Sequence, residues 1–212
     1  MGQNRAISVK GSAKLTGTPD WVVIVFNVES ESYYYEECTE MLAKRTDILK
    51  KELMSLGIED KNIKTFHFDI DTGFDWVEGR RIFRGYKASH KLKVEFPFDK
   101  DYLNKIMRKL GQTKSHASFR IAFTIAEPES LRQQALAEAV KNAARKAEVL
   151  ADAAGVKLGP IIRIDYTWSD IYIESNLSIR AFMVSESAPD YDFTPEDIEI
   201  TETVTTVWEI EG

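Results

Sequence analysis

Two stretches of strict alternation constrain this chain more than anything else in it. From Gly85 to Phe96, Tyr86, Ala88, His90, Leu92, Val94 and Phe96 alternate with Lys87, Ser89, Lys91, Lys93 and Glu95. Just before it, from Asn62 to Asp71, Phe66, Phe68 and Ile70 alternate with Thr65, His67, Asp69 and Asp71. Successive strand side chains point to opposite faces, so each run predicts one buried and one wet face. Two such strands in succession predict a long hairpin in a half-solvated antiparallel sheet. Its connection falls on Thr72 to Gly79 and contains Phe74 and Trp76.

The remaining elements follow by the same reasoning. Ile7, Val9, Ala13 and Leu15 predict a first strand, with Gly11 as a bulge or a close backbone contact. Gly17 and Pro19 predict a turn, and Trp21 to Val28 is apolar on both faces, as a central strand is. A helix is predicted over Tyr35 to Leu56, with Cys38, Leu42, Leu49, Leu53 and Leu56 on one stripe and Thr46 as its polar gap. Gly57 supplies the left-handed stop and Ile58 the apolar contact after it. Asp99 or Asp101 caps a short helix carrying Leu103, Ile106, Met107 and Leu110, and Phe119 to Ile125 is a further strand.

The longest helix opens at Pro128 with Ser130 and Gln133 at capping-box spacing. Its inner face is predicted as Leu136, Val140, Ala143, Ala147, Leu150 and Ala154, alanine-rich enough for close packing. Ile162, Ile164, Tyr166 and Trp168 mark the next strand, and Ile198 to Ile210 the last, with a Thr-rich outer face. The acidic segment 169–196 is irregular, holding one short strand near the apolar run Ala181–Val184. Its acids read as a solvated loop. The sum is an α+β fold, a largely antiparallel sheet flanked by helices, in a single domain over residues 1–212.

Composition narrows the function classes. A chain of 212 residues buries roughly 70% of its unfolded surface and needs no staple. The single cysteine, Cys38, excludes an intrachain disulfide and sits on the apolar side of its helix as a small hydrophobe. A net charge of −6 argues against nucleic acid. No apolar run reaches transmembrane length, and no leader precedes the first strand, so the chain as given reads as cytoplasmic, or as periplasmic or extracellular if an export leader has been removed.

Catalytic equipment is sparse. There is no nucleophile elbow, P-loop, dinucleotide fingerprint, zincin motif or paired-cysteine motif. His67, Asp69 and Asp71 share a strand face and are the metal-ligand candidates, but alternate strand residues lie roughly 7 Å apart, too far for three in a row to chelate one ion. Their other reading is a wet face whose acids meet Lys87, Lys91 or Lys93. His90 falls in the apolar series, the place of a hydrogen-bonded core histidine. No cofactor is expected. Phe74 and Trp76, large apolar groups in the hairpin connection, are interface candidates; alternatively they fold back on the lobe of Ile82 and Phe83. Tyr33, Tyr34 and Tyr35 read as a staple at the first helix.

Several residues also follow a familiar order. These are Gly11, Pro19-Asp20, Gly57-Ile58 with Asp60, Ile63 and Thr65, Gly85-Tyr86 with Ala88-Ser89, Leu92 and Val94, and the helix positions Ala135, Ala139-Val140, Ala143, Lys146-Ala147 and Leu150-Ala151, then Gly155 and Leu158-Gly159. Over nearly the whole chain this resembles the SIMPL domain family, which includes bacterial periplasmic immunogenic proteins and a eukaryotic kinase-associated signalling protein. Pro195-Glu196-Asp197 stands where the family often has Pro-Gly-Glu. The resemblance implies an antiparallel α+β fold, ring-like oligomers in some members, roles in stress defence or partner binding, and no established catalytic residues. The expectation is a non-enzymatic, self-associating interaction module, with Phe74, Trp76 and Phe83 at its contact surface. Two alternatives stand beside it: a small-molecule or metal-binding protein or enzyme with a pocket under the long hairpin, and an adaptor for a signalling protein.

Overall fold

A computed structural model of the chain describes residues 5–77, 79–111, 113–167, 179–181 and 190–212. The elements run β1 (Ala6–Gly17), β2 (Trp21–Ser32), α1 (Tyr35–Ser55), β3 (Lys64–Val77), β4 (Arg80–Pro97), α2 (Lys100–Gly111), β5 (Ser118–Thr124), α3 (Pro128–Ala154), β6 (Lys157–Asp165), β7 (Ile179–Ala181) and β8 (Ile198–Glu211). The class is α+β with antiparallel pairing throughout, but the strands form two sheets, ordered β1-β8-β6 and β3-β4-β2-β5-β7. The chain groups into two compact units. One is drawn from Met1–Thr18, Ile125–Glu174 and Asp197–Gly212, the other from Pro19–Thr124 and Ser175–Glu196.

The unit with five strands holds the larger core. β2 lies between β4 and β5, and Val22, Ile24, Phe26 and Val28 are fully buried, as the two-sided apolar run predicts. The α1 stripe of Cys38, Leu42, Leu49 and Leu53 packs into the same core, and Thr46 is buried with it. Gly57 ends this helix at φ 99°. Its N–H donates to the Met54 carbonyl and that of Ile58 to the Leu53 carbonyl, a Schellman stop. Asp99 caps α2 by accepting the Tyr102 N–H at 2.9 Å. Cys38 is wholly buried, its thiol against the Ser30 and Tyr86 carbonyls.

In residues 190–193 the acids stay exposed, as expected of the acidic segment, but the backbone between them is held on α2. Asn104 on α2 accepts the Tyr191 N–H at 2.9 Å and donates to the Tyr191 carbonyl at 3.0 Å, as a paired strand would. Asp190 and Asp192 pair with Arg108 and Lys100, and Phe193 is buried beside Phe123. The strand at Ile179–Ala181 pairs with β5. Trp168 and residues 169–178 and 182–189, including most of the Ala181–Val184 run, lie outside the described residues.

In the other unit α3 lies on β1 and β8. Its buried stripe is Ala135, Ala139, Ala143, Ala147 and Ala151, rotated from the predicted face; Leu150 is exposed. Gly11 explains the choice of alanine. A Cβ there would lie 2.1 Å from the Ala139 carbonyl oxygen and 2.6 Å from the Ala143 Cβ. The register of β1 on β8 runs unbroken through Gly11, so this glycine marks close approach and not a bulge. Pro128 occupies the first turn of α3, but no side chain caps it; Gln133 donates to Glu129 instead of completing a box with Ser130. The strand marked by Ile162 and Ile164 is β6, which ends at Asp165, and Ile161, Ile162 and Ile164 on it are exposed. Glu202, on the inner face of β8, is buried and accepts the Tyr166 hydroxyl at 3.2 Å. Loss of solvent and that bond raise the Tyr166 pKa.

Candidate interaction site on the long hairpin

The hairpin is longer than its two alternating runs suggest. Thr72 to Val77 is strand and not connection: Phe74 pairs with Phe83, Asp75 with Ile82 and Trp76 with Arg81. Gly73 faces Gly85 at a register shift, where Arg84 is the extra residue. Gly85 has φ 136°, and a Cβ there would lie 2.5 Å from the Ser32 carbonyl oxygen. β2 stops pairing with β4 at Ser32 opposite Tyr86. Beyond that point the hairpin is a two-stranded arm, a form that is marginal in water without side-chain support.

Aromatic rings supply that support on one face. Phe83 contacts Phe74 at 5.7 Å, Tyr33 at 5.4 Å and Tyr86 at 5.4 Å between ring centroids, all edge-on. The Arg81 guanidinium lies 3.6 Å over the Phe74 ring. On the other face Arg84 pairs with Glu31 and Asp75. The structure therefore joins Phe74 to Phe83, as the fold-back alternative has it, while Trp76 on the same face remains 74% exposed. The tyrosine staple is not made. Tyr33 joins the arm, Tyr35 meets Tyr86, and the start of α1 is held by the Ser32 hydroxyl between the Tyr34 N–H and Glu37.

Nearer the core, Phe66 and Phe68 are 54% and 57% exposed, although their alternation marks them for an inner face. α1 lies across β2 and β4, which leaves Phe68 at the margin of its cover, while Ile70 on the same face packs half-buried on the core. Phe66 is also the extra residue where the β3–β4 register shifts. A cleft of about 320 Å³ remains between α1 and β3, lined by Thr39, Leu42, Thr46, Lys50, Phe68 and His90. His90 is partly buried. Its Nδ1 shares a hydrogen bond with Thr46 at 3.3 Å, its Nε2 with Thr65 at 2.9 Å, and Phe68 stands edge-on to its ring. Loss of solvent and the Lys50 ammonium lower its pKa. Both ring nitrogens are thus engaged by threonine hydroxyls.

His67, Asp69 and Asp71 line the opposite, exposed face of β3, across from Lys91, Ser89 and Lys87. Among the described residues no three His, Cys, Asp or Glu side chains converge as a metal requires. Nor do the acids meet the lysines: Lys87 pairs with Glu29 and Lys93 with Glu95.

The SIMPL family, described as a protein of unknown function (DUF541), matches residues 7–208, and the chain belongs to it. Among similar proteins, the uncharacterized protein YggE of Edwardsiella ictaluri is 24% identical, covering 82% of this chain and 73% of its own. The 26 kDa periplasmic immunogenic protein of Brucella abortus is 27% identical, covering 76% and 66%. The interleukin-1 receptor-associated kinase 1-binding protein 1 of Mus musculus is 26% identical, covering 73% and 57%. The chain thus spans about two thirds of the length of the relatives it matches. None of these names states an enzymatic activity, and one states binding to a protein. Among the described residues no helix is long and apolar enough to cross a membrane.

Proposed function

We propose that this protein is a non-enzymatic interaction and assembly module, a single SIMPL-type domain over residues 1–212 that associates with copies of itself through the aromatic arm. One observation carries the reading: Trp76 stands 74% exposed on a ring-braced two-stranded arm whose aromatic face ends at it. An indole held in water on an ordered surface is the residue type that dominates binding energy at interfaces. The protein-binding relative supports the broader class. Periplasmic residence, as the Brucella relative's name states for that protein, is the setting that goes with it. A part in stress defence, implied by the family resemblance, is the cellular side of the same proposal.

Light scattering across micromolar concentrations tests the assembly. The expected result is an oligomer that Trp76→Ala weakens by about 2 kcal/mol per contact. A strict monomer, unchanged by that substitution, overturns it. Calorimetry tests the single domain, which predicts one cooperative transition. Survival of a deletion strain under oxidant, restored by the wild-type chain and not by Trp76→Ala, tests the cellular part.

A further inference from the structure

We infer that the groove between α1 and the outer edge of β3 receives an extended segment of a partner protein, with alternating cationic and apolar residues, as a sixth strand of the five-stranded sheet. The inference does not depend on self-association through the arm.

The edge is open. β3 is outermost in its sheet, and among the described residues no side chain bonds to its backbone. An edge strand presents a row of N–H and C=O groups that a second chain can pair with. The ladder from His67 to Gly73 is regular, bounded by register shifts at Thr65/His67 and Gly73/Phe74. That window suits a segment of about seven residues.

The two faces of the edge differ, and the difference defines the partner. On one, exposed Phe68 lines the cleft beside α1 and offers an apolar contact. Every second side chain of an added strand would point there. On the other, Asp69 and Asp71 are exposed and have no ion pair among the described residues, since Lys87 is taken by Glu29 and Ser89 stands opposite Asp69. The intervening side chains of the added strand would face these carboxylates, which lysine or arginine would neutralise. A second copy is a poorer occupant. Its β3 brings the same Asp69, Asp71 and Asp75, and the whole chain carries −6.

The probe is a fluorescent peptide of about ten residues alternating lysine and valine, long enough to span the window. Two controls accompany it: the same composition with lysines and valines in separate blocks, and the alternating peptide N-methylated at every second residue. Anisotropy with the intact protein should show the alternating peptide binding about tenfold tighter than either control, because only it makes the full ladder. Asp69→Asn with Asp71→Asn, both exposed and conservative, should weaken it about fivefold and reduce its salt dependence. Trp76→Ala should leave it unchanged, which separates this site from the arm. Equal affinity for all three peptides would overturn the inference, leaving only charge attraction. Indifference to the paired Asp substitutions would overturn it too. So would amide exchange showing the β3 edge already protected, in a concentration-dependent way, in the protein alone, since a second copy would then occupy it.

Discussion

β1 and β3, each the outermost strand of its own sheet, are finished in opposite ways. At β1 the helix α3 reaches over the rim. The Lys146 ammonium donates to the Lys10 carbonyl at 3.1 Å, and the Asn142 side-chain oxygen accepts the Ser12 N–H at 3.2 Å. Gly11, between those two residues, lets the helix come near enough to do this. At β3 no helix side chain among the described residues plays that part, and Phe66, Phe68 and Trp76 of the same strand are exposed. An edge that is closed by side chains cannot pair with another chain, whereas an open one can. One fold thus contains both a protected edge and an available one.

The comparison breaks most readily at Gly11. Gly11→Val must push α3 off the sheet, so stability should drop by about 3 kcal/mol or more in urea unfolding. A near-native midpoint would mean the helix does not lie as close as described. Next in size is Gly85→Ala, where positive φ and the Ser32 carbonyl both oppose a side chain. We expect a loss of about 2 kcal/mol, with amide exchange accelerated over residues 74–83. Unchanged exchange there would detach the arm's order from its glycine joint. Removing the edge caps by Asn142→Ala with Lys146→Ala should cost about 1 kcal/mol and expose the Ser12 amide to exchange. If Ser12 stays protected, the two edges are not distinguished by these side chains.

The smallest effect expected concerns His90. Its lowered pKa means the unfolded chain takes up a proton before the folded one does. The contribution of neutral His90 is therefore present above about pH 6.5 and lost as the pH falls through the lowered folded value. His90→Gln should flatten that part of the stability profile. A slope identical to wild type would assign it to other groups.

Much of the scaffold was legible because its signals are local. The stripe of α1, its Gly57 stop, the two-sided strand at Trp21–Val28 and the close approach at Gly11 all follow from spacing and from what glycine permits. What stayed hidden depends on neighbours. Alternation says that Phe66 and Phe68 share a side, but the register shift at Phe66 breaks that count, and α1 lies over β2 and β4 instead. The buried α3 face is hard to read because alanine at Ala135, Ala139 and Ala151 carries little hydrophobic signal, while the larger Leu150 points to a face the packing leaves exposed. Glu202 reads as an exposed acid until its Tyr166 partner is seen. Thr72 to Gly79 reads as a connection because Gly73 and Gly79 look like turn residues, when Gly73 and Gly85 form a joint within continuing strands.

That joint has an evolutionary consequence. Residues beyond Gly73 and Gly85 add little to the main core, so replacing Trp76 or its neighbours would spare the chain's ability to fold. Lineages carrying this scaffold are free to exchange the residues of that tip while inheriting the same body.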